Sequence, residues 1–354
     1  MKKIFGILLC LVFLLLFIGC GGAVSEYETY TNYEYGFSVD CPNDWKIGDP
    51  KDEWGAVELA IKGGKDLESS LDNVTGTELL KHIITVTSRF IASIDHEYAL
   101  KIANCEVAWP AIKLLKKLVV SLPEGDRALN VITPNYDMLL EYACDCDDIP
   151  YTNGFTGGIE RRLNWGCALR SLLRPERVMT GGKLKTQYKA QKHVRLFKVH
   201  GSLNYFFHRE KFIENNCWMW NPPDFVQRVM ITPGLSKYEM IQKYRQELLR
   251  EADAAISREH YFLFLGYGFN DTHLEEYIKR KLVQQACAGL IITLDSNPRI
   301  QYLLSQANNL WLVCKAPDAT NGTQIYNKQY STPLALPEKN LWDIEQFTKE
   351  ILGG

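Results

Sequence analysis

Three short polar clusters could do chemistry, because each directly follows a run of apolar residues. They are Thr133-Pro134-Asn135-Tyr136-Asp137, His200-Gly201-Ser202 and Gly266-Tyr267-Gly268-Phe269-Asn270-Asp271. Taken singly, each has an ordinary structural explanation, since Asn and Asp form turns and cap helices and glycines reverse the chain. Taken together, clusters at the carboxyl ends of neighbouring parallel strands would converge on one crevice. The sequence therefore predicts a single site built from all three.

The residue types in the clusters suit a ligand that carries a ribose and a phosphate. His200 can take up a proton near neutral pH, and Asn135 has a donor and an acceptor for ribose hydroxyls or an ordered water. Asp137 can orient either of them. Gly266 and Gly268 would let the backbone approach a phosphate closely. The predicted chemistry is that of a nucleotide sugar, with acid–base assistance worth on the order of 100- to 10,000-fold in rate.

The elements that must position these clusters are short apolar strands that alternate with helices. Strands are predicted over residues 128–132, 194–199, 261–265, 290–294 and 310–313, because each run is short and almost wholly apolar. Helices are predicted over 66–94 with a break near Gly76, over 111–122 and over 337–352. Two more open with capping boxes and end near residues 257 and 282; the boxes are Ser236 with Glu239 and Thr272 with Glu275. The pattern predicts an α/β fold, a doubly wound Rossmann-like parallel sheet with helices on both faces.

The composition excludes several classes of protein. The chain has 354 residues, a formal net charge of -2 and 46% hydrophobic residues, which excludes a disordered chain and leaves enough residues for a sizeable core. One apolar run approaches membrane-spanning length, so a polytopic membrane protein is excluded as well. No segment concentrates Lys and Arg into a basic stripe, and no nucleic-acid partner is therefore expected.

The N-terminus and the cysteines point to different compartments. Lys2 and Lys3 precede an apolar run over residues 4–19 that ends at Cys20, which is the layout of an export signal and resembles a bacterial lipoprotein signal. A lipidated Cys20 or, alternatively, an uncleaved anchor helix would attach the protein to a membrane. The ten scattered cysteines are instead typical of a cytosolic protein, so a cytoplasmic location stays open if the N-terminus is mis-joined.

The three clusters, in this order and behind these strands, resemble the bacterial sirtuin-like family over roughly residues 57–313. Many members of that family cleave NAD in phage defence. The resemblance implies that Asn135 holds the nicotinamide ribose and the attacking water, that His200 is the general base and that Asp137 supports the site. It implies release of nicotinamide and ADP-ribose, with a homo-oligomer or a defence-system protein as the expected partner. The residues expected to bind NAD are Thr133, Ser202, Gly266, Gly268, Asn270, Asp271 and Asp295.

Two departures from the family pattern limit what the resemblance implies. Deacetylating sirtuins carry a four-cysteine zinc module after the His-Gly pair, whereas here only Cys217 follows before Cys287 and Cys144-Asp145-Cys146 is an incidental CxC; neither zinc nor another metal is expected. The family's Gly-rich phosphate loop is not evident, and the nearest candidate is residues 35–40. The alternative function is therefore a catalytically inactive, membrane-tethered nucleotide-binding or interaction module.

The predicted organisation has four parts. Residues 1–20 form the signal or anchor, and residues 21–51 form an extracytoplasmic leader or a remnant of another domain that opens with a hairpin. Residues 52–320 form the sirtuin-like domain, and residues 321–354 form a loop followed by a short helix.

Overall fold

The computed structural model describes residues 27–32, 37–42, 77–125, 127–230, 248–269, 271–317 and 321–353. Several sequence predictions lie outside these ranges. They are the signal over residues 1–20, the first part of the predicted helix at 66–76, the capping box at Ser236 and Glu239, and Asn270. The candidate phosphate loop over 35–40 lies partly outside them, and its residues 37–40 belong to a strand.

We number the described elements in chain order. The strands are β1 (Tyr27–Asn32), β2 (Phe37–Pro42), β3 (Ala128–Thr133), β4 (Tyr151–Thr152), β5 (Phe155–Gly157), β6 (Arg161–Leu163), β7 (Leu173–Thr180), β8 (Lys183–Ala190), β9 (His193–Lys198), β10 (Gly201–His208), β11 (Lys211–Glu214), β12 (Gln227–Met230), β13 (Tyr261–Leu265), β14 (Ala288–Ile292), β15 (Leu310–Lys315), β16 (Thr323–Asn327) and β17 (Leu334–Leu336). The helices are α1 (Thr77–Ala103), α2 (Ile112–Val120), α3 (Leu139–Cys146), α4 (Trp165–Ser171), α5 (248–258), α6 (Thr272–Lys279), α7 (Pro298–Gln306) and α8 (Ile344–Leu352).

The parallel strands form two hydrogen-bonded sheets rather than the single sheet that the sequence predicts. One has the order β3-β9-β4 and is wholly parallel. The other has the order β13-β14-β15-β16-β17, and its first three strands are parallel. The described pairings leave β3 at one end of its sheet and β13 at one end of the other. The α/β class with parallel strands and helices is confirmed.

One hydrophobic cluster nevertheless joins the two sheets. Phe197 and Val199, at the end of β9, belong to the same buried cluster as Phe264 of β13 and Ile291 of β14. Helix α5 contributes Ala252, a residue with no measurable exposure, to this cluster. The carboxyl ends of β9 and β13 are therefore held together by shared packing, although they belong to different sheets.

The exposure of β13 differs from the sequence prediction. Its wholly apolar residues predict a strand buried on both faces, yet Tyr261 is 83% exposed and Leu265 is 41% exposed. The exposed residues alternate along the strand, since Tyr261, Leu263 and Leu265 share one face whereas Phe264 on the other face is buried. Only one face of β13 is therefore well covered.

The segment over residues 150–192, which had no sequence prediction, contains β4 to β8 and α4. β5 and β6 join an antiparallel five-stranded sheet with the order β12-β10-β11-β6-β5. β7 and β8 pair with each other as a separate hairpin. Near the N-terminus, β1 and β2 are also an antiparallel pair and overlap the predicted opening hairpin.

The C-terminal prediction is wrong in its extent. Instead of a loop and a helix over 337–352, residues 323–336 include β16 and β17, and α8 spans only Ile344–Leu352. The helix starts late because Asp343 is its N-cap, and the Asp343 side chain accepts hydrogen bonds from the N–H groups of Glu345 and Gln346.

Candidate functional site

His200 and Asp271 form the contact that joins two of the three polar clusters. Nε2 of His200 lies 2.5 Å from Oδ2 of Asp271. Asp271 is 5% exposed, and its Oδ1 accepts a hydrogen bond of 3.4 Å from the N–H of Leu274 in α6. The Asp271 side chain therefore supplies an acceptor for an N–H group in the first turn of this helix. A neutral imidazole held in this way carries its proton on Nε2 and keeps Nδ1 as the basic nitrogen.

The first cluster leaves β3 in a turn held by its own side chains. The N–H of Asn135 donates to Oγ1 of Thr133 at 3.1 Å, and the N–H of Leu139 donates to Oδ1 of Asp137 at 3.2 Å. Asn135 itself is exposed. The turn therefore presents the Asn135 amide to solvent, where a ligand could meet it, while Asp137 orders the start of α3.

Ser202 lies beneath this turn rather than at the surface. It has no measurable exposure, and its hydroxyl lies 3.4 Å from the carbonyl oxygen of Tyr136. Its predicted contact with NAD stays a prediction, and the contacts seen here are internal.

The third cluster is held by residues from the start of α7. Gly266, which has φ +60, donates its N–H to the carbonyl oxygen of Ile292 at 2.9 Å. Nδ2 of Asn297 donates to the carbonyl oxygen of Gly268 at 2.9 Å, and Nη1 of Arg299 donates to that of Phe269 at 3.1 Å. A Cβ built at Gly266 would meet nothing within 4 Å, so there is open space beside its backbone for a ligand group.

Asp295 is exposed after β14, where Oγ1 of Thr293 donates to its carbonyl oxygen at 3.2 Å. It shares the loop before α7 with Asn297, which holds the third cluster. The structure thus brings His200 and Asp271 into contact. It also places the exposed Asn135 turn at the end of β3, the direct neighbour of β9, and Asp295 on the loop that holds Gly268.

Sequence reasoning missed Asn297 and Arg299, and only the first had a local signal. Asn297 precedes Pro298, and its side chain accepts a hydrogen bond from the N–H of Ile300, which makes it the N-cap of α7 with proline at the first helical position. That signal predicts a helix start. It does not predict that the same amide reaches Gly268.

Asp95 of α1 is a buried carboxyl beneath the first cluster that sequence reasoning also missed. It accepts hydrogen bonds from the N–H of Met138 at 2.6 Å, from Nε1 of Trp220 at 3.0 Å and from the hydroxyl of Tyr142 at 3.2 Å. Burial raises the pKa of Asp95, although these hydrogen bonds act in the opposite direction.

This raised pKa predicts how stability depends on pH. The native state holds the proton of Asp95 more tightly than the unfolded state does, so protonated Asp95 stabilises the fold. This contribution to the free energy of unfolding is fully present below the ordinary pKa of 3.8 and is lost as pH rises through the raised pKa. The urea midpoint is therefore expected to fall less between pH 4 and pH 7 in Asp95→Asn than in the wild type. The exposed Asp148→Asn is the control, and equal slopes in all three proteins would contradict the prediction.

No group of three or more His, Cys, Asp and Glu side chains is arranged to hold a metal ion in the part of the chain that the structure describes. Within the same residues, no helix is long and apolar enough to cross a membrane.

A family model described as a SIR2-like domain matches residues 129–310, slightly more than half of the chain. The match begins in β3 and ends at the first residue of β15, so it includes all three polar clusters. No curated protein matches the sequence.

Proposed function

The chain belongs to the SIR2-like domain family, a family whose domains bind NAD, and from this premise we propose that it hydrolyses NAD to nicotinamide and ADP-ribose. The hydrogen bond between His200 and Asp271 carries the proposal. It supplies a base of fixed orientation where two clusters meet, and the exposed Asn135 lies in the turn that follows the neighbouring strand β3.

Each residue has a defined part in the proposed reaction. Asn135 binds the nicotinamide ribose and orients the attacking water. Nδ1 of His200 accepts a proton from a ribose hydroxyl or from that water, while Asp271 holds the ring and stabilises the imidazolium that forms.

The bond from ribose C1′ to the nicotinamide nitrogen breaks through an oxocarbenium-like state, and the bonding electrons leave with nicotinamide. The water oxygen then bonds to C1′ and gives up a proton. The products are nicotinamide, ADP-ribose and one proton.

The rest of the site would bind the remainder of NAD. Gly266 and Gly268 let the backbone approach a phosphate or the adenosine ribose, and Asp295 faces the adenosine side from the next strand. We take the two parallel sheets, which share one buried cluster, to be the two parts of a doubly wound Rossmann-type fold without a zinc module. We take the biological role to be depletion of NAD in antiphage defence. Attachment to a membrane through Cys20 or an N-terminal anchor is a separate proposal, and fractionation of cells that express the full chain tests it.

The test is release of nicotinamide from NAD by the purified full chain. Asn135→Ala is expected to lower turnover by about 100-fold, because a misplaced water or ribose costs that much. Asn104→Ala, at an exposed asparagine just after α1, is the matched control and keeps wild-type turnover. Folded wild-type protein that releases no nicotinamide would overturn the proposal. In that case, binding of ADP-ribose would instead identify a nucleotide-binding module without catalysis.

A further inference from the structure

Lys198, the last residue of β9, is a buried cation that the proposed mechanism does not use. Its side chain is 1% exposed, and Nζ lies 2.9 Å from Oε1 of Glu141 in α3. Nζ also donates to Oγ of Ser202 at 3.1 Å and to the carbonyl oxygen of Asp137. Nζ also lies 3.4 Å from Sδ of Met138, so its three N–H donors meet Asp137, Ser202 and Met138, while Glu141 supplies the opposite charge.

The peptide group between Asp137 and Met138 is hydrogen-bonded to a buried charged side chain at each end. Lys198 binds the carbonyl oxygen of the peptide bond between Asp137 and Met138. The N–H of that peptide bond donates to Asp95 at 2.6 Å. A buried cation and a buried carboxyl therefore bind the two opposite edges of one peptide group. This peptide group comes directly after the turn that carries Asn135.

Lys198 also connects this turn to the proposed base. It lies two residues before His200, and its second acceptor, Ser202, lies two residues after His200. Its contacts thus bridge the first cluster and the second, which come from adjacent strands of one sheet.

We infer that Lys198 is a positioning residue that holds the 137–138 peptide and thereby fixes Asn135 relative to His200. A purely structural ion pair would need only Glu141. The bonds to Ser202 and to the Asp137 carbonyl extend from that pair into the two clusters. The kinetic part of this inference rests on the proposed function, and the structural part does not.

The experiment separates positioning from stability by removing the whole buried pair. Lys198→Met alone leaves Glu141 buried without its partner. In contrast, replacing both members of a buried pair with apolar residues of similar volume is often neutral for stability. The double variant Lys198→Met/Glu141→Met is therefore expected to melt near the wild type. The control is Glu214→Gln, which disrupts another ion pair, that of the buried Glu214 with the partly exposed Arg161.

Two readouts are measured in the full chain. Hydrogen exchange of the amides in residues 133–139 is expected to become at least about 10-fold faster in the double variant, because the peptide plane is held on one side only. The kcat for nicotinamide release is expected to fall by about 10- to 100-fold with KM within about twofold, because misplacement affects the reacting geometry. The Glu214→Gln control keeps wild-type exchange in 133–139 and wild-type kcat.

Wild-type exchange over 133–139 in a folded double variant would overturn the inference. If the double variant does not fold, Lys198→Gln/Glu141→Gln decides, because it removes the ammonium group from the Asp137 carbonyl while keeping polar groups at both buried positions. Faster exchange at Met138 supports the inference and unchanged exchange overturns it. A wild-type protein that neither turns over NAD nor binds ADP-ribose would refute the proposed function alone, since the exchange result does not depend on activity.

Discussion

Replacing His200 with glutamine is expected to lower the kcat for nicotinamide release by about 100- to 10,000-fold, the usual contribution of a general base. Glutamine keeps an N–H group that can donate to Asp271 but cannot take up a proton near neutral pH. The His200 side chain is 17% exposed, and glutamine is of similar size, so the loss of packing is small. The melting temperature is expected to stay close to that of the wild type.

Asp271→Asn tests the other half of the pair. The carboxylate of Asp271 accepts a hydrogen bond from Nε2 of His200, whereas an asparagine amide can donate one to that nitrogen. The substitution therefore favours the tautomer with the proton on Nδ1, and Nδ1 can no longer act as the base on the substrate side. The kcat is expected to fall by about 100-fold or more, with little change in KM.

His208 offers a matched control for both variants. It is a half-buried histidine that also lies near a carboxylate, with Nδ1 at 3.4 Å from Oε1 of Glu160, but it belongs to the far end of β10. His208→Gln is expected to keep wild-type turnover. If His200→Gln and His208→Gln had equal kcat values, His200 would not be the base.

Gly201→Ala is expected to destabilise the protein by about 3 kcal/mol or more, since it combines a backbone conformation that costs roughly 1 to 3 kcal/mol for alanine with a steric clash. Gly201 has φ +92, and a Cβ built on it would lie 2.1 Å from the carbonyl oxygen of Val229 in β12. The clashing atom belongs to the backbone of a paired strand, so no side-chain rotation relieves it.

Thermal unfolding measures this effect against Gly158→Ala. A Cβ at Gly158 would meet nothing within 4 Å, and the residue is exposed, so that substitution is expected to change the free energy of unfolding by less than about 0.5 kcal/mol. A loss of 3 kcal/mol corresponds to a decrease in Tm on the order of 10 °C. Equal melting of the two variants would show that β10 and β12 separate easily.

This result also bears on the site, because Gly201 immediately follows His200. The two residues of the His-Gly pair in the second cluster therefore have different physical roles. The glycine allows β10 to pass close to β12, and the histidine contributes the chemistry. A folded Gly201→Ala variant would shift the backbone that carries His200, and its kcat would fall for that reason.

The sequence was sufficient where the signal was local. The strand predicted over 261–265 matches the bounds of β13, and the one predicted over 128–132 differs from β3 by one residue. Short, mainly apolar runs between polar turns are typical of buried strands. The three polar clusters were also visible, because the residue types after each strand do not depend on which strands pair.

Only the tertiary structure decided which residues meet. β6, within the segment that sequence reasoning could not interpret, is three residues long and pairs with β11 about 50 positions later; a strand this short has no periodicity of its own. The sequence predicts that Asp271 binds NAD, whereas its contact with His200, 71 positions away, is established only by the structure. Lys198 contacts Asp137 and Glu141, about 60 positions earlier in the chain, and also Ser202. Residue types determine what chemistry is available, but contacts between distant segments depend on packing and hydrogen bonding across the whole fold, which no local pattern encodes.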